Sequence, residues 1–168
     1  MKKWIGALCS GLAGVLSLIF LAMPALAFKM LGYKESYSGW KLLTDADIAK
    51  ADYTAVTWYR IFAWILVVLA IALIVVAVLQ VLANLNVIKL PAIVNTVANY
   101  ALIAVAVVAV LTLVANFGIR AEMIDEMGGK KILEAMKASI SVGVALWFTT
   151  IVNIAAAVCG KVFAKSEN

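Results

Sequence analysis

The sequence predicts an all-α integral membrane protein with four transmembrane helices in an antiparallel bundle. Three observations lead there. Of the 168 residues 66% are apolar, only 14% are charged, and the apolar residues gather into four long runs. A soluble domain is about 45–50% apolar and about 25% charged. The mean hydropathy of +1.08 stands with the first two observations. This composition excludes a soluble globular domain, a disordered chain and a nucleic-acid binder with a basic face, so no nucleic-acid partner is expected.

A helix needs about 20 mostly apolar residues to cross a hydrocarbon core of about 30 Å. Residues 4–28, 58–82, 97–117 and 140–162 meet that length, and none has Asp, Glu, Lys or Arg in its central part. Arg60 sits at the edge of the second run. A membrane β-barrel needs short segments of alternating polarity, and the unbroken apolar run 61–79 is too long for one. Backbone groups in lipid must pair internally, which leaves α-helices. The remainder is an outer loop (29–57), an inner loop (83–96), an outer helical hairpin (118–139) and short tails. The chain 1–168 therefore reads as a single domain.

The first run has a second reading. Lys2-Lys3, the apolar stretch and Ala25-Leu26-Ala27 resemble a secretory signal with a small-residue cleavage site. Its apolar stretch exceeds the usual 7–15 residues, which favours a retained helix. Lys2-Lys3 also favour a cytoplasmic N-terminus, and four spans return the C-terminus to the same side. That places the protein in the cell membrane with both termini inside. The basic residues Lys2, Lys3, Lys89, Lys161 and Lys165 then face anionic lipid. Aromatic residues fall at two levels, Trp4, Tyr100 and Phe163 at one and Phe28, Trp58, Tyr59 and Phe117 at the other, as interfacial belts do.

Residues 32–43 carry Tyr33, Tyr37, Trp40 and two glycines without a regular period, and read as a loop over the outer face. Thr44 reads as an N-cap, with Asp45 and Asp47 in a first turn where the helix dipole favours negative charge. Ile48, Ala51, Ala55 and Trp58 continue at helical spacing, so the second helix is expected to start near Asp45. Ile119, Met123 and Met127 carry the third helix outward, Gly128-Gly129 turns the chain, and Ile132, Met136 and Ile140 carry the fourth back in. Helices two to four thus extend beyond the membrane. Tyr37, Trp40, Met123, Met127 and Met136 form the candidate outer partner surface. Methionine sulfur is also a soft ligand for Cu(I), but at helical spacing it is far more often core filler.

Gly6, Ser10 and Gly14 recur at steps of four on the first helix. Close backbone approach drives helix association in lipid, so this ridge is a packing face, inside its own bundle or between protomers. Thr112, Thr149, Thr150 and Asn153 are the polar residues within the spans, with Gln80, Asn84, Asn95 and Asn99 near the inner end. They serve either as interhelical glue or as the lining of a path. No ionisable residue lies along that track, which counts against proton-coupled transport. Cys9 and Cys159 lie at similar depth and could be neighbours.

Several chemistries lack their residues. A thiol oxidoreductase needs Cys-x-x-Cys, zinc catalysis needs histidine or a cysteine cluster, and an intramembrane aspartyl enzyme needs two buried carboxylates. A four-helix multidrug exporter would need an acid in the first helix. No enzyme, cofactor or metal is expected. The topology resembles the claudin-like and tetraspan class: a longer first outer segment, a short inner turn and a smaller second outer segment. It has Gly39-Trp40 but neither that family's Gly-Leu-Trp nor its cysteine pair. The string Ser38-Gly39-Trp40-Lys41-Leu42-Leu43 is similar to a Ser-Gly-aromatic-x-Leu-Leu/Ile segment of small uncharacterised bacterial membrane proteins. This resemblance implies a bacterial four-span protein with that loop outside. The expected function is association: a scaffold or accessory subunit, self-assembling or bound to another membrane protein. The alternative is a homo-oligomeric channel lined by Thr112, Thr149, Thr150 and Asn153.

Overall fold

The computed structural model describes residues 2–45 and 53–165. The elements in chain order are α1 (Lys2–Ile19), β1 (Pro24–Met30), β2 (Tyr33–Ser38), α2 (Gly39–Thr44), α3 (Thr54–Asn84), α4 (Ala92–Glu126), α5 (Lys130–Ala135), β3 (Ala138–Val142) and α6 (Val144–Lys165). The protein is mostly helical. Three helices are long and apolar enough to cross a membrane, over Thr54–Asn84, Ile93–Glu126 and Val144–Val162. At about 1.5 Å per residue α3 and α4 reach roughly 46 and 52 Å, beyond the thickness of a hydrocarbon core. The apolar part of α1, Trp4–Ile19, is shorter.

α1 packs on α3 and α6, α3 on α4, and α4 on α6. Each pair runs antiparallel. Gly6 faces Gln80 while Gly14 faces Ala70 and Ile74. The Ala55 amide meets Glu122 while Gln80 meets Asn95. Thr150 meets Ala109 while Gly160 faces Leu102. On α3 the buried residues are Val56, Tyr59, Ala63, Leu66, Ala70, Leu73, Ala77 and Gln80. Their spacing alternates three and four, the seam of helices packed ridge into groove at a shallow angle. Alanine returns every seventh residue on that seam and lets the neighbouring backbones close in. The opposite face, with Ile61, Trp64, Val68, Ile71 and Val75, is exposed and apolar.

At one end of these helices sits a three-stranded antiparallel sheet in the order β2-β1-β3. It corrects the all-α expectation. The helix expected over 4–28 ends at Ile19, because Pro24 lacks a backbone N–H and disfavours helical geometry in the residue before it. Its last carbonyls are taken up by the turn that follows, Leu18 O accepting from the Leu21 amide at 3.1 Å and Ile19 O from the Ala22 amide at 3.0 Å. The Trp40 and Gly39 amides at the start of α2 bond to Leu21 O at 2.8 Å and Met23 O at 3.2 Å. The helical return expected through Ile132, Met136 and Ile140 is also corrected. α5 stops at Ala135, and Ala138–Val142 is a strand whose middle residue Ile140 is buried between exposed Ser139 and Ser141. That is the period-two pattern of a strand with one covered face. The fourth long helix accordingly starts at Val144, not at residue 140.

The described residues of the outer segment, 29–45 and 53–57, are also more ordered than a loop. β1 and β2 pair from Pro24↔Ser38 to Met30↔Tyr33. The turn between them has Leu31 at φ +45° and Gly32 at φ +87°. Two positive φ values match a tight type I′ hairpin turn. Thr44 is the last residue of α2, not an N-cap, and its hydroxyl donates to Trp40 O at 2.9 Å. Helix α3 starts at Thr54, not near Asp45; Asp47, Ile48 and Ala51 lie outside the described residues. Gly128 and Gly129 make the expected turn after α4, at φ +87° and +86°. Helix α4 begins at Ala92, five residues before the expected 97, because Pro91 suits a helix start.

Two glycines on α1 provide a test of this packing. A Cβ at Gly14 would lie 2.7 Å from Ala70 O, whereas one at Gly11 would lie 3.5 Å from the Ala77 Cβ. Gly14→Ala is expected to destabilise by about 1–3 kcal/mol through overpacking, and Gly11→Ala by less. The measurement is the thermal unfolding midpoint in detergent. Equal midpoints for the two variants would contradict this α1–α3 contact.

Candidate functional site

The four polar residues singled out within the spans all lie inside a single chain. Thr112 and Asn153 are fully buried, and Thr149 and Thr150 nearly so. Thr112 and Thr149 donate back to their own helices, at Val108 O (2.8 Å) and Ala145 O (2.9 Å). Thr150 donates across to Ala109 O on α4 at 3.3 Å. Asn153 and Ser17 join α6 to α1: the amide nitrogen donates to the Ser17 hydroxyl at 2.8 Å, and to Thr149 O at 2.9 Å. Ser17 carries no signal in sequence, since one serine in an apolar helix is unremarkable until its partner is known.

Two buried polar groups were also not singled out by sequence. Asn116 is fully buried on α4, and neither its oxygen nor its nitrogen has a hydrogen-bond partner. The Tyr59 hydroxyl on α3 is likewise buried and unpartnered. The Tyr59 ring sits inside the core, while its neighbour Trp58 is the exposed aromatic. Burying such groups without partners costs about 1–3 kcal/mol each. Asn116 was visible as an amide between Ala115 and Phe117 at the end of the third run.

The ridge Gly6, Ser10 and Gly14 faces inward. Gly6 meets Gln80, Gly14 meets Ala70, and Ser10 is buried. This face packs within the chain. Cys9 and Cys159 are free thiols near enough to interact with each other. Mild oxidation is therefore expected to close an intrachain disulfide, because the α1–α6 packing already brings the sulfur atoms together. It would be read as loss of two alkylatable thiols and would vanish in Cys9→Ser. Retention of both thiols in the oxidised wild type would contradict the pairing.

The proposed outer surface divides in two. Trp40 is about half exposed at 53% on α2, and Tyr37 is half-buried on β2 with the Lys41 ammonium 4.5 Å from its ring centre. Leu31 and Tyr33, at the hairpin tip, are more exposed still at 73% and 66%. Met123 packs against the core, while Met127 and Met136 are exposed on the other connection. Arginines anchor both connections to the helices. Arg60 on α3 donates to Leu42 O at 3.1 Å and also to Asp45 O. Arg120 on α4 donates to Ile140 O of β3 at 2.7 Å. No family model matches the chain, and no curated protein matches it.

Beside this surface the Tyr53 hydroxyl donates to Glu126, tying the start of α3 to the end of α4. Burial first, and then the hydrogen bond and charge of Glu126, push the Tyr53 phenol up from 10 to about 12. Between those values the folded chain holds a proton that the unfolded chain has released. The contribution of Tyr53 to stability is thus complete below pH 10 and is lost as pH rises toward about 12. Unfolding midpoints measured across that window should fall less steeply for Tyr53→Phe. Identical slopes would show that the contact does not discriminate between the two protonation states.

Proposed function

We propose that this chain is a non-enzymatic, four-span membrane protein that works by association, self-assembling through the surface built on the sheet. In this reading α1 completes an antiparallel four-helix bundle, the termini face the cytoplasm and the sheet lies outside, as in the claudin-like and tetraspan class that the topology resembles. The observation that carries the reading is the hairpin tip. Leu31 takes a left-handed φ that costs an ordinary residue about 1–2 kcal/mol, yet 73% of its surface is exposed. Within one chain the leucine brings strain and little burial. Asparagine is the residue that such a turn favours. A leucine held there, beside exposed Tyr33 and close in sequence to exposed Trp40, is explained by a surface that becomes covered in an assembly.

The polar residues weigh against the alternative of a channel between copies. Thr112, Thr149, Thr150 and Asn153 are buried within one chain with their hydrogen bonds made, so they offer no polar wall to a central axis. The outward faces of the helices are apolar and suit lipid.

A single substitution separates stability from association. Leu31→Asn is expected to raise the unfolding midpoint, by about 1 kcal/mol of stability. It should also shift the particle mass in mild-detergent native mass spectrometry toward the monomer. A monomeric wild-type particle, or an assembly untouched by Leu31→Asn, would overturn the self-assembly reading.

A further inference from the structure

At the opposite end from the sheet, the chain forms a half-open cavity of about 490 Å³ between α1, α3, the 85–91 loop, α4 and α6. Its size lies within the range of small-molecule sites. Its lining is unusual for a helical membrane protein: Gln80, Asn84, Asn86, Asn95 and Asn99 all contribute, along with Ser10. Two of these side chains are more than nine-tenths buried and hold an unsatisfied atom. Ser10 is 1% exposed and Gln80 is 8% exposed, and neither the Ser10 hydroxyl nor Gln80 Oε1 has a partner. Gln80 Nε2 is already committed to Asn95 Oδ1 at 3.1 Å. Turning both amides over exchanges donor and acceptor but still leaves one Gln80 atom for the cavity.

The electrostatics select the sign of an occupant. Among the described lining residues Lys89 is the only charged one, and none carries a carboxylate. Helix α4 starts at this cavity, and its N-cap Pro91 gives no side-chain hydrogen bond to the first amides. The partial positive charge of that terminus opposes the partial negative charge of the α3 terminus ending nearby, and Lys89 tips the sum positive. Amides and a serine hydroxyl both donate and accept, as hydroxyl groups do.

We propose that this cavity binds a small hydroxylated phosphate of the glycerophosphate kind. Its hydroxyls meet Ser10 and Gln80, and its phosphate lies toward Lys89 and the start of α4. The same chemistry is available from the headgroup of a phosphatidylglycerol lipid and from a soluble glycerol phosphate.

The test uses the full chain in nanodiscs and has two arms. One compares discs containing phosphatidylglycerol with discs of phosphatidylcholine alone, by native mass spectrometry of retained lipid. The other titrates glycerol 3-phosphate into phosphatidylcholine discs and follows the unfolding midpoint. Retention or a midpoint rise in either arm, weakened at least tenfold by Ser10→Ala and by Lys89→Ala, supports the site and identifies its source. Ser10→Ala removes an unpartnered hydroxyl, so the empty protein should be no less stable than wild type. Absence of binding in both arms, or binding that ignores both variants, would overturn the proposal.

Discussion

The pairing of β1 on both its edges is the interaction on which the rest of the structure depends. One edge takes β2 from the same connection, and the other takes β3, more than a hundred residues later in the chain. That second pairing links the segment after α1 to the segment before α6. The Gly143 amide extends it with a 2.7 Å bond to Ala25 O. No larger residue fits there, because a Cβ at Gly143 would lie 1.9 Å from Pro24 O. Arg120 and Arg60 then hold the two connections down onto α4 and α3. The helix ends and the sheet consequently form one unit.

Beneath the sheet, hydrogen bonding divides the interior into settled and unsettled regions. Ser17, Thr149 and Asn153 form a closed set that links α6 to α1 with their donors used. Tyr59 and Asn116 near the sheet, and Ser10 and Gln80 far from it, retain free atoms. Unsatisfied polar atoms inside an apolar protein are costly, and a wholly apolar seam would avoid the cost. The unsettled groups lie toward the two ends of the helices, and the closed set lies between them.

Much of the helical architecture was legible in sequence because length and hydropathy alone define a candidate span. The second, third and fourth apolar runs correspond to α3, α4 and α6. The turn at Gly128-Gly129 and the Cys9–Cys159 proximity were also readable, the latter from equal depth. The sheet was not read, although Ala138-Ser139-Ile140-Ser141-Val142 alternates as a strand should. Its five residues sit between two strongly helical patterns, and Ile140 also fits the spacing from Ile132 and Met136. The inward face of α3 was hidden for a different reason. Both faces are apolar, so only the recurrence of Ala63, Ala70 and Ala77 marks the packed one. Which polar residues pair, and which stay alone, depends on partners that sequence spacing does not bring together.

The long separation between β1 and β3 also has a consequence for how the chain is made. A ribosome adding about 5–20 residues per second needs roughly 5–20 s to go from Met30 to Ala138. During that interval β1 has only β2 beside it, and its other edge presents unpaired amides and carbonyls to whatever is near. An open strand edge recruits other strands. Biogenesis therefore passes through a stage, lasting most of translation, in which a neighbouring nascent copy could supply the missing strand. Only once β3 itself has been made can the edge be closed by its own chain.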